Sequence, residues 1–251
     1  MQLNNDNIIA ICKDKTIYRD GDYALKVFGD SYPKQDVLNE ALNQARVELT
    51  GLNIPKIHEI TTINGKWTIV MDYIEGKTFS QIWEENPEKL DEYIEQFVVL
   101  QMDVQSHNCQ LLVRLKDKMH GKISASAFSA TVRYDLHTTL ESMPKHLKLC
   151  HGDFNPSNII ITPDGSPCYI DWAHATQGNA SADVARSYLL FCLNGREDIA
   201  KKYLRCFCKK SDTAIQYVQK WMPIVAASQS LKGNEAEKDF LSSWVNVVDY
   251  T

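Results

Sequence analysis

Between residues 158 and 171 the chain reads NIIITPDGSPCYID. Two apolar runs of this length, split by Pro163-Asp164-Gly165, are constrained to fold back on each other as a hairpin. That hairpin decides where three polar residues go. Asp153 and Asn158 lie just before the first run, and Asp171 ends the second. Antiparallel pairing returns Asp171 to the end from which the hairpin started. Two carboxylates and an amide carbonyl therefore converge. Hard oxygen ligands of this kind suit Mg²⁺, which keeps waters and shares phosphate oxygens. With one carboxylate left to orient and deprotonate a hydroxyl, the set is chemically sufficient for phosphoryl transfer to an alcohol.

The rest of the chain changes character near Gly76. Before it, "IIAIC", "TIY" and "YALKVF" read as short strands, with a turn at Asp20-Gly21-Asp22. From Pro33 to Leu49 the period becomes helical, with an apolar stripe of Val37, Leu38, Ala41, Leu42, Ala45 and Leu49. A second hairpin follows around Asn64-Gly65. After Gly76 the pattern is mostly helical: a long helix over residues 88–107, shorter pieces over 111–147, and three or four amphipathic helices beyond Gly178. The expectation is an α+β chain of two lobes. Residues 1–75 form a small antiparallel-sheet lobe with one inserted helix, and residues 76–251 a larger helical lobe carrying the 158–171 hairpin. Such a design leaves an interlobe cleft suited to a small molecule.

Composition narrows the partners. The net charge of -5, with both signs interspersed, offers no basic footprint for nucleic acid and no polybasic membrane anchor. No stretch approaches the roughly 20 apolar residues that span a bilayer. The seven cysteines are scattered, with no C-x-x-C pair, and read as reduced thiols of a cytoplasmic protein.

"HGDFNPSNII" (151–160) followed by "IDW" (170–172) closely resembles the aminoglycoside phosphotransferase and choline kinase group, small-molecule kinases with a protein-kinase-like fold. "YRDGDYALKVF" and "PKQDVLNEA" resemble the third strand and inserted helix of uncharacterised bacterial phosphotransferases of that group. The resemblance spans about residues 8 to 195. It implies Asp153 as catalytic base, Asn158 and Asp171 as Mg²⁺ ligands, and His151 as a residue shaping the catalytic loop. Asp183 matches a buried Asp that braces that loop; as a residue of a helix's first turn it equally suits the helix dipole.

The nucleotide, ATP or GTP, would be held by the amino-terminal lobe. Lys26 alternates out of phase with Leu25 and Val27, and an ammonium on an otherwise apolar strand calls for a carboxylate or phosphate. The resemblance pairs it with Glu40, although at about 100° per residue Glu40 lies well off the apolar stripe and Glu48 nearer its edge. Met71, Asp72, Tyr73 and Ile74 match the segment whose backbone receives the base. The loop "CKDKTIY" has no glycine to approach phosphates closely. Thr16 is its only hydroxyl, with Lys13 or Lys15 available as charge.

The acceptor is a small-molecule hydroxyl compound whose class stays open. A cationic aminoglycoside would favour a carboxylate-lined pocket, yet residues 181–251 hold eight acidic against ten basic side chains. A choline-type site would need an aromatic cage, for which Trp221, Trp244, Tyr217 and Tyr250 are available. The alternative to a kinase is a catalytically silent scaffold that binds nucleotide or a partner. A protein kinase is disfavoured because "IDW" leads almost directly into a helix near Ser181, with no room for a long activation loop.

Overall fold

Asn64 and Gly65 both take positive φ, 52° and 79°, the pairing of conformations that lets a two-residue turn follow the twist of its strands. In the computed structural model, which describes residues 3–12 and 14–245, this turn joins the last two strands of a five-stranded sheet. Lys13 and Tyr250 lie outside the described residues.

The chain opens with β1 (Ile8–Cys12), β2 (Lys15–Asp20) and β3 (Tyr23–Phe28). Next come α1 (Lys34–Glu48), β4 (Ile57–Ile63), β5 (Lys66–Asp72), the two-residue β6 (Lys77–Thr78) and α2 (Phe79–Glu85). They are followed by α3 (Leu90–Ser106), α4 (Leu115–Ala125), α5 (Ala130–Ser142), β7 (Lys148–Cys150), β8 (Ile159–Ile161), β9 (Pro167–Tyr169) and β10 (Thr176–Gly178). The chain continues through α6 (Ala180–Leu193), α7 (Glu197–Ser211), α8 (Ile215–Gln219), α9 (Met222–Ser230) and α10 (Lys238–Val245). The fold is α+β, as expected, with five helices rather than three or four beyond Gly178 among the described residues.

These elements divide into two compact units, residues 1–86 with 156–175, and residues 87–155 with 176–251. In the first unit the antiparallel sheet runs β1-β2-β3-β5-β4. The inner strand β3 is buried from Ala24 to Phe28. Leu25 and Val27 pack with Val70, while Phe28 and Ile69 pack with Val37 and Ala41 of α1.

The hairpin β8–β9 groups by its contacts with this unit, whereas the sequence reading assigned it to the chain after residue 76. Hydrogen bonding explains the grouping. Tyr169 N–H donates to Asn53 O at 3.0 Å, Asn53 Nδ2 donates to Pro167 O at 2.9 Å, and β6 pairs with β8.

The apolar stripe read for α1 is rotated. Leu38, Leu42, Ala45 and Leu49 are exposed, and the inner face is Val37, Glu40, Ala41, Asn43, Gln44 and Val47. Three of those six are polar, each with a partner: Gln44 Nε2 donates to Pro55 O at 2.8 Å, Asn43 Nδ2 to Ala173 O at 3.2 Å, and Glu40 pairs with two lysines. Polar groups are buried here because hydrogen bonds and ion pairs receive them.

The second unit is built around α3 and α6. Phe97 packs against Phe154, Phe191 and Tyr203 at centroid distances of 4.8, 5.7 and 5.5 Å. Two strands, β7 and β10, pair here in a register running from Thr176–Cys150 to Gly178–Lys148. They are too short to show a periodic pattern in sequence. Among the described residues, no helix is long and apolar enough to cross a membrane.

Gly76 marks the closest backbone approach in the first unit. Its φ is 152°, and a Cβ there would stand 2.3 Å from Ile161 O. Since that oxygen is backbone, it cannot swing aside, and overpacking of this kind costs about 1–3 kcal/mol. Gly76→Ala should lower the denaturation midpoint accordingly in equilibrium urea unfolding. An unchanged midpoint would show that β6 and β8 separate at little cost.

Candidate active site

In the first unit four charges form an alternating chain. Lys15 Nζ donates to Glu40 Oε2 at 2.8 Å, Glu40 Oε1 pairs with Lys26 Nζ, and Lys26 Nζ donates to Asp171 Oδ1 at 2.9 Å. The strands and the helix explain the convergence. Lys15 starts β2, Lys26 sits opposite Ile17 on β3, and α1 turns Glu40 inward. Glu40 is 3% exposed and Lys26 7%. Burial alone would lower the Lys26 ammonium, but the carboxylates of Asp171 and Glu40 outweigh it and push its pKa up. Lys26 stays charged.

Asp171 ends the hairpin. Ile170 N–H donates to Asn158 O at 3.0 Å, so Asn158 and Asp171 stand at the same end. The Asp171 backbone lies in the left-handed region, φ 64° and ψ 65°. A non-glycine residue held there carries strain of order 1–3 kcal/mol, a feature that concentrates at functional sites. The following turn is fixed from two sides: Trp172 Nε1 donates to Tyr169 O at 3.0 Å, and Asn43 holds the Ala173 carbonyl. Asp171 keeps 34% of its side chain exposed, so a ligand can reach it. One carboxylate and one amide carbonyl fit Mg²⁺, which completes its shell with water and phosphate. Among the described residues no group of three or more His, Cys, Asp or Glu is arranged to hold a metal ion.

The remaining first-unit candidates are already engaged. Thr16 lies within β2 rather than at the turn tip, opposite Ile11 and Val27. Met71 packs in the α1 core and accepts a 3.8 Å contact from Gln44 Nε2. The Asp72 carboxylate accepts from Lys56 N–H at 2.9 Å and meets His58 Nε2 at 2.6 Å. Its own N–H donates to Lys56 O, and that of Tyr73 to Asp22 O at 2.8 Å. Arg19 stacks over the Tyr73 ring at 4.0 Å, and Ile74, the last of the four, is half-buried.

The second unit holds the loop after β7. Gly152 turns it with φ 78°, a conformation glycine adopts without steric cost. Asp183, 3% exposed in the first turn of α6, accepts from His151 N–H at 3.2 Å and Gly152 N–H at 2.7 Å. Its two sequence readings therefore coexist: it is a first-turn residue and it grips the loop. Burial pushes its carboxyl up, opposed by His151 and the two amides.

His151 is fully buried, edge-on to Phe154, and its Nδ1 accepts from Asp153 N–H at 3.3 Å. A second brace runs through side chains. Tyr203 Oη bonds Gln101 Oε1, Gln101 Nε2 donates to Ser187 Oγ at 3.3 Å, and Ser187 Oγ donates to Phe154 O at 2.7 Å. Asp153 itself is half-buried. Asn155 Nδ2 donates to its backbone oxygen at 3.0 Å and to Oδ2 at 3.4 Å.

Sequence reasoning missed Arg186. Its Nη2 lies 3.7 Å from Asp153 Oδ1, and its Nη1 donates to Gln229 Oε1 at 2.6 Å. Gln229 Nε2 in turn donates to Glu237 Oε2 at 2.7 Å. The signal was present: Arg186 is the only basic residue in the otherwise largely apolar ASADVARSYLLFCL of α6.

Residues 15–216 match the phosphotransferase enzyme family. The chain belongs to that family. Among curated proteins, none matches. Solved structures show the same fold at low identity. A thermostable mutant of aminoglycoside phosphotransferase APH(4)-Ia, in ternary complex with ADP and hygromycin B, superposes with TM-score 0.68 at 15% identity. That comparison covers 97% of this chain and 94% of the other. Choline kinase LicA from Streptococcus pneumoniae gives 0.63 at 14% identity, covering 98% and 95%.

Removing the Asp183 carboxylate strands two buried amides, each worth about 1–3 kcal/mol. Asp183→Ala should therefore destabilise the fold by roughly 3 kcal/mol and speed hydrogen exchange at the Gly152 amide. A variant with wild-type exchange at Gly152 would show that the loop holds its shape without this brace.

Proposed function

We propose that the protein transfers the γ-phosphoryl group of ATP or GTP to the hydroxyl of a small molecule. The observation that carries this reading is the buried Lys26 between Glu40 and Asp171, with Asp171 held in the left-handed region. A buried ion pair is weak support for stability, since apolar residues of similar volume serve as well or better. Strain and buried charge maintained together in a member of a phosphotransferase family favour a site for phosphate. The ADP complex of the APH(4)-Ia mutant supports a nucleotide donor, and that complex and the choline kinase relative support a small-molecule acceptor.

In this reading Lys26 supplies a fixed positive charge to the donor phosphates, and Glu40 fixes the ammonium in place. Asn158 and Asp171 would hold Mg²⁺, which would supply positive charge to the phosphates. Asp153 orients the acceptor hydroxyl and takes its proton. The acceptor oxygen forms a bond to the γ-phosphorus as the bond to the bridging oxygen breaks, and nucleoside diphosphate leaves with that oxygen. Asn155 and the His151–Asp183 brace keep Asp153 oriented. Backbone groups of Met71 to Ile74 receive the base, and Thr16 with Lys15 borders the phosphates.

Asp153→Asn should lower turnover about 10²- to 10⁴-fold, the range for loss of a general base, while leaving nucleotide affinity near wild type. Nucleoside diphosphate release and nucleotide titration read the two effects separately. Turnover that survives the substitution would remove Asp153 from the role of base. Asp171→Ala should abolish the Mg²⁺-dependence of nucleotide binding; metal-dependent affinity that persists would refute the ligand assignment. A silent scaffold would bind nucleotide and release no diphosphate with any acceptor.

A further inference from the structure

Two helices of the second unit meet through a pair of histidines. His120 of α4 and His137 of α5 face each other with their Nδ1 atoms 2.8 Å apart, their ring planes 15° from parallel and their centroids separated by 4.9 Å. At the outer ends, His120 Nε2 lies 2.6 Å from Glu141 Oε1, and His137 Nε2 lies 3.2 Å from Ser124 Oγ. The carboxylate assigns the protons. An ionised Glu141 only accepts, so His120 carries hydrogen on Nε2 and, when neutral, presents a bare Nδ1. His137 then donates through Nδ1 and accepts the Ser124 hydroxyl at Nε2. Each ring nitrogen has a partner, and all three bonds cross between α4 and α5.

This chain of bonds has room for one further proton and not for a second. With one added, His137 Nε2 becomes the donor to Ser124 Oγ, and a single hydrogen still lies between the two Nδ1 atoms. With two added, both Nδ1 atoms carry hydrogen, the bond between them is lost, and two imidazolium charges adjoin. The surroundings do not relieve this. α4 packs against α5, α9 and β10, and α5 packs also against α9; neither α9 nor β10 carries a titratable side chain. Glu141 is the one carboxylate bonded to either ring among the described residues, and Asp117 and Asp135 of the same helices are not. It is shared with Lys116, whose Nζ donates to the Glu141 backbone oxygen at 3.0 Å and lies 3.9 Å from Oε2, and it feels Lys145 as well. Lys118, Lys122 and Arg133 add positive charge to the two helices, and Tyr134 adds none. Burial, then His120 and Arg133, hold the His137 imidazole below its ordinary pKa against the pull of Glu141. The hydrogen bond from His120 keeps the Glu141 carboxyl below its usual range, so it stays ionised while the imidazoles titrate.

We propose that His120 and His137 form an acid-released latch between α4 and α5, closed while the pair holds at most one extra proton and released when both rings become imidazolium. The sign follows from His137. Its ring takes a proton less readily in the closed pair than in an open one. The pairing is therefore fully present above the ordinary imidazole pKa, about 6.5, and is lost as pH falls below it. The latch does not depend on the kinase reading.

The test follows the imidazole nitrogens of the protein, labelled isotopically in histidine, by NMR from about pH 8 to about pH 5. Amide hydrogen exchange is measured on the same samples. At the alkaline end His120 should be the Nε2–H tautomer and His137 the Nδ1–H tautomer. On acidification the pair should titrate in two steps, separated by about one pH unit or more. Through the second step, exchange along α4 and α5, corrected for its intrinsic pH dependence, should speed up by as much as about tenfold per pH unit, the factor for one proton taken up on opening. That acceleration should disappear in His137→Gln. Glu141→Gln should move the first step to lower pH, which a merely packed pair of rings would not show.

Two Nε2–H tautomers at the alkaline end, or both rings titrating together in one step, would overturn the latch. So would exchange that accelerates equally in the wild type and in His137→Gln, since the acid sensitivity would then lie outside the pair. Should that variant fail to fold, the wild-type tautomers and the number of titration steps decide the matter alone.

Discussion

The first unit depends on one buried cation. Lys26 arrives on the inner strand of the sheet, where the desolvation of an isolated ammonium would be prohibitive, and only two carboxylates make its position tenable. That requirement propagates. It draws Glu40 to the inner face of α1, and it ties Asp171, 145 residues further along the chain, to β3. Lys15 then balances Glu40, so the four-membered chain carries no net charge. The hairpin is thereby fastened to the sheet by charge at Asp171, while Pro167 and Tyr169 bond to Asn53. A nucleotide would meet a prearranged ammonium rather than one that must be gathered on binding, and preorganisation of this kind is where electrostatic catalysis obtains most of its effect.

The second unit solves a different problem, which is to hold a short polar loop in a fixed shape without regular secondary structure. Backbone amides of His151 and Gly152 end on one buried carboxylate, and the Phe154 carbonyl ends on a hydroxyl relayed from Tyr203. Each bond alone is modest, about 1 kcal/mol, but together they satisfy the loop's polar groups inside an aromatic core. Asp153, within this loop, is half-buried rather than enclosed. Its neighbour Arg186 balances its charge from 3.7 Å and links it through Gln229 to Glu237 near the start of α10.

Much of this was legible in the sequence, for definite reasons. The hairpin at 158–171 and the Asn64-Gly65 turn are local effects, decided by residues that favour left-handed or turn conformations. What escaped is what depends on long-range partners. The inner face of α1 could not be found from hydrophobicity, because Glu40, Asn43 and Gln44 are buried by virtue of Lys15, Lys26, Ala173 and Pro55, which no helical period encodes. The strands β6, β7 and β10 are two or three residues long and exist because neighbours pair with them. Arg186 was visible as the one basic residue in an apolar helix, yet its significance depends on Asp153, 33 positions away.

The absence of glycine between β1 and β2 has a physical counterpart in the structure. A glycine-rich loop contacts phosphates through bare backbone and is mobile by composition. Here Cys12 pairs with Lys15 across a tight turn, Gly29 N–H donates to Asp14 O at 2.9 Å, and Lys15 is anchored on Glu40. Asp14 and Lys15 are thereby fastened to the sheet and to α1. Lys15 Nζ lies over the Phe28 and Tyr32 rings and shares Glu40 with Lys26. Both units rely on cations held in partial burial, Lys15 and Lys26 in one and Arg186 in the other. In the first unit each is matched by a carboxylate of the protein itself, so the charge is satisfied before any ligand arrives.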